Sequence, residues 1–246
     1  MLKQCCTEMN LEELVRNKMN FSQNRYERKF LCSNIEPDQI FSLIKLHNLN
    51  FSEIYSERKI NNIYYDTIDL NSFYDNIDGL AKRRKVRLRW YGENLSVIDN
   101  PTLEVKLKDS LVGKKGSLKI NKSYKLNDII QGDLFSMIDN KLDYYTRSLY
   151  LSCLKPSLIN TYYRRYFISF CKKFRITVDS NQSFYSPFNI RNLANPSISD
   201  NENLIIEVKY DTNFDDSIDF VSQSLPFRMT KSSKYVDGIY RLLLRF

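Results

Sequence analysis

The chain has 246 residues, 42% hydrophobic and 27% charged, with a formal charge of +8 at pH 7. That length suits a substantial apolar core in one domain or two tightly joined ones, and excludes a small scaffold held by disulfides or metal staples. The basic balance favours phosphate-rich partners: nucleotides, polyphosphate, nucleic acid or an anionic lipid surface.

The cysteines, Cys5, Cys6, Cys32, Cys153 and Cys171, are odd in number and form no CxxC or Cys/His cluster. A structural zinc or a disulfide framework is therefore not expected, and a reducing, cytoplasmic setting is. No apolar run reaches the roughly 18 residues of a membrane span, and MLKQCCTEMNLEELV lacks the apolar centre of a signal peptide.

In chain order, Met9, Leu11, Leu14, Val15 and Met19 predict a helix over 8–19, within an extension of residues 1–23 that precedes a domain of residues 24–246. Glu36-Pro37 followed by Ile40, Leu43 and Ile44 predicts a second helix over 36–46, and His47 continues that face as a packing residue. Period two then dominates in RYERKFLC, RKINNIYYDT, KVRLRWYG, PTLEVKLK, YYRRYFISF, KFRITVDS and LIIEVKYD, all rich in β-branched and aromatic residues. Helical spacing returns over 142–155 and over 232–244, the latter following Ser232 and Ser233. NPSISDNENL (195–204) reads as a polar loop. GKKGSLK (113–119) reads the same way, since it lacks the GxxxxGK[ST] order of a phosphate loop. Seven or eight antiparallel strands with a few flanking helices predict the α+β class, as a closed or nearly closed β-barrel.

The alternation places charge on one face of each strand. Glu104, Lys106 and Lys108 alternate with Leu103, Val105 and Leu107, and Arg87 and Arg89 with Val86 and Leu88. Glu207 and Lys209 oppose Ile206 and Val208; Arg175, Thr177 and Asp179 oppose Phe174, Ile176 and Val178; Arg25, Glu27 and Lys29 oppose Tyr26, Arg28 and Phe30. One such strand would point its charges into water. The recurrence suggests apolar faces turned to outer helices and charged faces lining a lumen. Confined cations repel one another and need an anionic occupant, which a chain of phosphates would supply and a DNA duplex is too wide to be.

The ordered series RYERKF, YYDT, KVRLRWYG, LEVKLK, YYRRYF, FRITVD, EVKYD and KSSKYVDGI resembles the VTC domain, the polyphosphate polymerase branch of the triphosphate tunnel metalloenzymes (CYTH-like), over residues 24–246. The resemblance implies an eight-stranded tunnel that moves the terminal phosphoryl group of ATP onto pyrophosphate or a growing polyphosphate chain, with no nucleic acid as partner. By motif, Lys29, Arg87, Arg89, Lys106, Arg165, Arg175 and Lys234 would hold or steer phosphates. Arg164 rivals Arg165, and Lys209 and Lys231 would give second contacts. Glu207 resembles the main metal carboxylate, assisted by Glu27 and Glu104, with Mn²⁺ or Mg²⁺ as the ion because histidine and thiolate ligands are missing. The superfamily's opening Glu-x-Glu-x-Lys becomes Arg25, Glu27 and Lys29, which removes one carboxylate and resembles the polymerase branch.

Lys85 shares the parity of Arg87 and Arg89, whereas Lys82, Arg83 and Arg84 follow the turn at Gly79 as a solvated or product-guiding patch. YYDT and YVDGI read as packing and cap motifs. Two other functions fit the same lumen: an inorganic triphosphatase or nucleoside triphosphate phosphohydrolase, and a noncatalytic polyphosphate or RNA-binding module. The 17 tyrosines make base stacking conceivable, although most aromatics alternate as strand packing requires. Eukaryotic relatives join such a domain to a phosphate-sensing domain and membrane helices. The expectation here is a free-standing cytoplasmic domain of bacterial type, acting alone or beside a separate membrane partner.

Overall fold

The computed structural model describes residues 20–21, 25–109, 112–132, 154–192, 195–211, 213–214, 221 and 225–244. The helix predicted over 8–19 lies outside them, as does nearly all of that over 142–155. The elements are β1 (Asn20–Phe21), β2 (Arg25–Ser33), α1 (Pro37–Lys45), β3 (Ser52–Asp66), α2 (Asn71–Ile77), β4 (Lys82–Tyr91), β5 (Val97–Ile98), β6 (Thr102–Asp109), β7 (Val112–Lys119), β8 (Tyr124–Lys125), α3 (Leu126–Gln131), β9 (Lys155–Ile168), β10 (Phe174–Tyr185), β11 (Ile198–Asp200), β12 (Asn203–Asp211) and α4 (Lys234–Leu243), with a 3₁₀ turn at Pro187–Asn192.

The fold is α+β, but the expected closed eight-stranded barrel does not form. Hydrogen bonding follows one open row, β1-β7-β6-β4-β3-β9-β10-β12-β2, with β11 beside β10, while β5 and β8 make a separate ribbon. Among the described residues no ladder joins β2 to β1, β7 or β6. A strap ahead of α4 takes the free edge of β2 instead: Phe30 bridges Met229, and the Thr230 N–H donates to the Lys29 carbonyl at 2.9 Å. An exposed edge needs partners for its backbone groups, and here the strap supplies them where another strand would have closed the barrel. The row is nevertheless curled, since Lys106 on β6, the third strand from one end, donates at 3.1 Å to Glu27 on β2 at the other end.

Strand alternation decides what the curl encloses. Val86, Leu88 and Trp90 of β4 pack outward with Ile63, Leu103, Val105 and Ile159, under Leu126 and Ile129 of α3. Phe30, Ile176, Ile206 and Val208 pack outward beneath Ile40, Phe41 and Ile44 of α1. Fully burying each such side chain contributes about 1.5–3 kcal/mol, which drives the helices onto the convex face. α1 starts where the sequence predicts, with Pro37 in its first turn and a capping box in which the Glu36 N–H donates to Gln39 Oε1 at 3.2 Å.

One end of the concave face is apolar. Tyr64, Leu158 and Phe184 meet Tyr235 and Ile239 of α4 and Phe73 of α2. Gly238 permits that approach, because a Cβ there would lie 2.5 Å from Leu158 Cδ2 and 2.7 Å from Phe184 Cδ1. Asp66 ties these elements together: it accepts from the N–H groups of Thr67, Ser72 and Phe73 at 2.8, 2.9 and 3.0 Å, and from the Tyr235 hydroxyl. YYDT and YVDGI thus meet in one structural joint.

Two loop expectations fail. GKKGSLK lies in strand β7, paired along β6 with Lys115 opposite Lys106, because two glycines and a lysine pair do not prevent an extended chain from adding to a sheet edge. The 195–204 stretch contains β11 and the start of β12. β3 also begins earlier than predicted, its first residues joined through bulges against β9.

Candidate active site

Register places Lys29, Glu207, Lys209, Thr177, Arg164, Asn62, Arg87, Arg89 and Glu104 on one face. Glu207 pairs with Lys29 and with Thr177, Asp179 with Arg164, Asn62 with both Asn160 and Arg89, and Arg87 with Glu104. This face is the inner one, opposite the aliphatic cores.

On one wall Glu104 is the centre. Arg87 Nε donates to it at 2.6 Å and Lys115 Nζ at 2.6 Å, with Arg89 Nη1 3.8 Å away. Burial pushes the Glu104 carboxyl up, but Arg87, Arg89 and Lys115 outweigh it and hold the group far below the usual carboxylate range. Three further bonds orient the arginines: Arg87 Nη1 to the Tyr64 hydroxyl at 3.4 Å, Arg89 Nε to Asn62 Oδ1 at 3.1 Å, and Arg89 Nη2 to the Tyr162 hydroxyl at 3.3 Å.

On the other wall Glu207 lies 3.1 Å from Lys29 Nζ, 2.9 Å from Lys209 Nζ and 3.5 Å from Arg164 Nη2. Burial raises its pKa, while Lys209, Lys29, Arg164 and Lys234 lower it more and keep it ionised. Asp179, fully buried, grips Arg164 with both oxygens, Nη2 at 2.6 Å, and takes Lys234 Nζ at 2.5 Å. Glu27 lies 3.1, 3.8 and 3.9 Å from the ammonium groups of Lys106, Lys209 and Lys29. Tyr162 stands between the walls, with Arg89 on its hydroxyl and Lys234 4.7 Å over its ring.

Lys85 lies between them as well. Its Nζ donates to Ser233 Oγ at 2.9 Å, and burial, then repulsion from Lys29, Lys106, Arg83 and Arg87, pushes its ammonium down to about 7. Burial and the neighbouring cations both disfavour its charged form, so an anion brought beside it would favour the ammonium.

The structure thus brings Lys29, Lys106, Lys209, Lys234, Arg164, Glu27 and Glu207 together, and Arg87, Arg89 and Glu104 together. Arg175 shares the inner face but is exposed, opposite Lys209. Lys231 is exposed beside α4, lining a recess of about 350 Å³ with Leu31, Ser232 and Asp237. Arg165 points the other way: it forks onto Glu53, Nε at 2.7 Å, and lies 3.9 Å over the Phe41 ring on the convex side. Asp179, Lys85, Lys115, Asn62 and Tyr162 were not singled out as site residues. The parity of Asp179 with Arg175 and Glu207 was visible, but its role in gripping Arg164 depends on register. Among the described residues no group of three or more His, Cys, Asp or Glu side chains converges to form a metal cage.

Comparison with known proteins bears on this arrangement. No curated protein sequence matches the chain. A Vibrio parahaemolyticus structure named as a candidate adenylate cyclase shares the fold, with TM-score 0.51 and 14% identity, over 92% of this chain and 99% of that one. The PH1819 protein from Pyrococcus horikoshii OT3 aligns with TM-score 0.46 and 12% identity over 89% and 98%. The VTC domain model matches residues 18–243. Matched over nearly all of its length, the chain belongs to the VTC domain family, catalytic modules of the polyphosphate polymerase type within the triphosphate tunnel superfamily.

Proposed function

We propose that this chain transfers the terminal phosphoryl group of ATP to the end of an inorganic polyphosphate chain, with pyrophosphate as a starting acceptor. The observation that carries the reading is geometric: Lys29, Lys85, Arg87, Arg89, Lys106, Arg164, Lys209 and Lys234 converge on one inner face. A polyphosphate repeats negative charge at each unit and relieves the repulsion among these cations along its whole length.

The chemistry needs no protein nucleophile. A terminal oxygen of the acceptor attacks the γ-phosphorus in line; the bond from that phosphorus to the β,γ-bridging oxygen breaks, and its electron pair leaves with ADP. Arg87 and Arg89, already oriented by Glu104, Asn62 and the tyrosine hydroxyls, offer forked donors to the equatorial oxygens without reorganising. Arg164, fixed by Asp179, takes the role expected of Arg165. Lys29, Lys106, Lys209 and Lys234 act as compact charges that keep the acceptor in place, and Arg175 and Lys231 steer phosphates from exposed positions.

The metal ligands are part of the proposal. Hard ions in phosphoryl transfer sites take one or two carboxylates and complete their shell with phosphate and water oxygens. Glu207 and Glu27, which bracket Lys29 and Lys209, fit that pattern for Mg²⁺ or Mn²⁺; Glu104, held by Arg87 and Lys115, belongs to the arginine wall instead. When bound, the ion neutralises charge on the phosphate oxygens. Among the described residues no helix is long and apolar enough to cross a membrane.

The test is product analysis. Purified protein incubated with ATP and Mn²⁺ or Mg²⁺, with and without pyrophosphate, should yield ADP and phosphoanhydride chains by gel and phosphorus NMR. Orthophosphate as the sole phosphate product would make it a hydrolase, and polyphosphate binding without turnover would make it a binding module.

A further inference from the structure

Beyond Arg89 and Arg164 the inner face ends in an aromatic rim. Arg58 pairs in register with Arg164, and Tyr55 with Tyr166. The bulges of β3 on either side of Tyr55 bring Tyr55 and Arg58 to the same face although they stand three positions apart. Tyr91 follows Arg89 by two residues on β4 and so shares its side. The Arg58 guanidinium lies 4.2 Å from the Tyr55 ring centre, 5.8 Å from that of Tyr166 and 5.9 Å from that of Tyr91. Tyr55 and Tyr166 meet edge to face at 5.6 Å, and a hydrogen bond joins Tyr166 to Tyr91.

These rings are not core. Tyr55 is 48% and Tyr91 50% exposed, and among the described residues no carboxylate pairs with Arg58. Tyr55 and Tyr91, half exposed beside a guanidinium and one step past Arg89 and Arg164, make a surface suited to stacking. Two residues of strand span about 7 Å, roughly the reach of a ribose and its first phosphate.

We propose that Tyr55, Arg58, Tyr91 and Tyr166 form a nucleobase platform that seats the base of a nucleoside triphosphate at the rim while its phosphates run inward to Arg89 and Arg164. The inference rests on the triphosphate reading given above and names the part of the substrate that this reading leaves unplaced. Stacking is tolerant of base identity, so the platform favours nucleotides over inorganic triphosphate without selecting strongly among bases.

The test separates base from phosphate. The full chain and its Tyr55→Ala, Tyr91→Ala and Tyr91→Phe variants are titrated calorimetrically, with Mg²⁺, against the β,γ-imido analogue of ATP and against inorganic tripolyphosphate. The alanine variants should weaken the nucleotide analogue about five- to thirty-fold and leave tripolyphosphate affinity within about twofold, and Tyr91→Phe should retain most of the nucleotide affinity. Parallel loss for both ligands, or no loss for the nucleotide, overturns the platform while the phosphate site stands. Failure of the unmodified chain to bind either ligand overturns the platform and the triphosphate reading together.

Discussion

The two walls of the inner face solve the same electrostatic problem differently. Around Glu104, arginines dominate and each makes two hydrogen bonds to fixed protein acceptors, which orients the guanidinium planes before any ligand arrives and leaves further N–H donors for it. Around Glu207 and Glu27, lysines share carboxylates at distances from 2.9 to 3.9 Å, and each ammonium can swivel from carboxylate to phosphate. A planar fork is suited to holding a defined phosphoryl geometry, and a flexible point charge to holding a polymer that must slip by one unit after each addition. Asp179 is the exception on the lysine side: by locking Arg164 it gives that wall one rigid member.

Removing the acid from the mobile wall should have the largest effect. Glu207→Ala should lower kcat about 100-fold or more, as loss of a charge-organising group in a phosphoryl transfer site does, and saturating Mn²⁺ should not restore it; full recovery in a metal titration would reassign the ion. Next, Arg87→Lys should lower kcat/KM about tenfold to 100-fold despite the retained charge, because the fork to Glu104 and Tyr64 is lost. Steady-state kinetics would refute a pre-oriented wall if lysine served as well as arginine.

The end that both walls share gives a stability effect. Gly238→Ala drives a methyl into Leu158 and Phe184 and should cost about 1–3 kcal/mol, read as a lowered denaturation midpoint. An unchanged midpoint would mean that α4 is free to shift.

Lys85 gives a subtler signal. Its folded pKa, about 7, lies below the ordinary lysine value of 10.5, so between those limits the unfolded chain binds the extra proton and stability of the unliganded protein should rise with pH across that window. A bound polyphosphate favours the ammonium, so binding at pH 7.5 should take up a proton, an uptake that Lys85→Met should abolish. Calorimetry in buffers of different ionisation enthalpy would expose the contrary case as a buffer-independent heat. The smallest effect belongs to the convex side: Arg165→Ala should leave kcat within about twofold and cost at most about 1 kcal/mol, the range of a solvent-screened ion pair.

How much of this was legible follows from what periodicity encodes. Alternation in KVRLRWYG and EVKYD sorts Arg87, Arg89, Glu207 and Lys209 from Val86, Leu88 and Val208 without any structure, because a strand's period is two. The same rule fails at YYRRYF, where Arg164 and Arg165 are both cationic and only the pairing of Asp179 with Arg164 chooses between them. Lys115 was hidden by the glycines of GKKGSLK, which mark a turn locally but here accompany a sheet edge. Closure was illegible for a deeper reason: whether the first and last strands of a row pair is decided by long-range geometry, and the Met229–Ser232 strap that occupies the edge of β2 carries no strand pattern.

That open seam changes how a long anion reaches the groove. In a ring of continuous backbone pairing, a polymer passes only by threading one end through, and prising two strands apart forfeits a hydrogen bond at every step. Among the described residues the edge of β2 is held by the strap instead, through the Phe30–Met229 bridge and the Thr230 N–H on the Lys29 carbonyl, in place of a full strand ladder. Releasing a strap forfeits fewer backbone bonds than parting two laddered strands, so the edge of β2 is where a chain already many units long would be laid in from the side at least cost, without an end to thread.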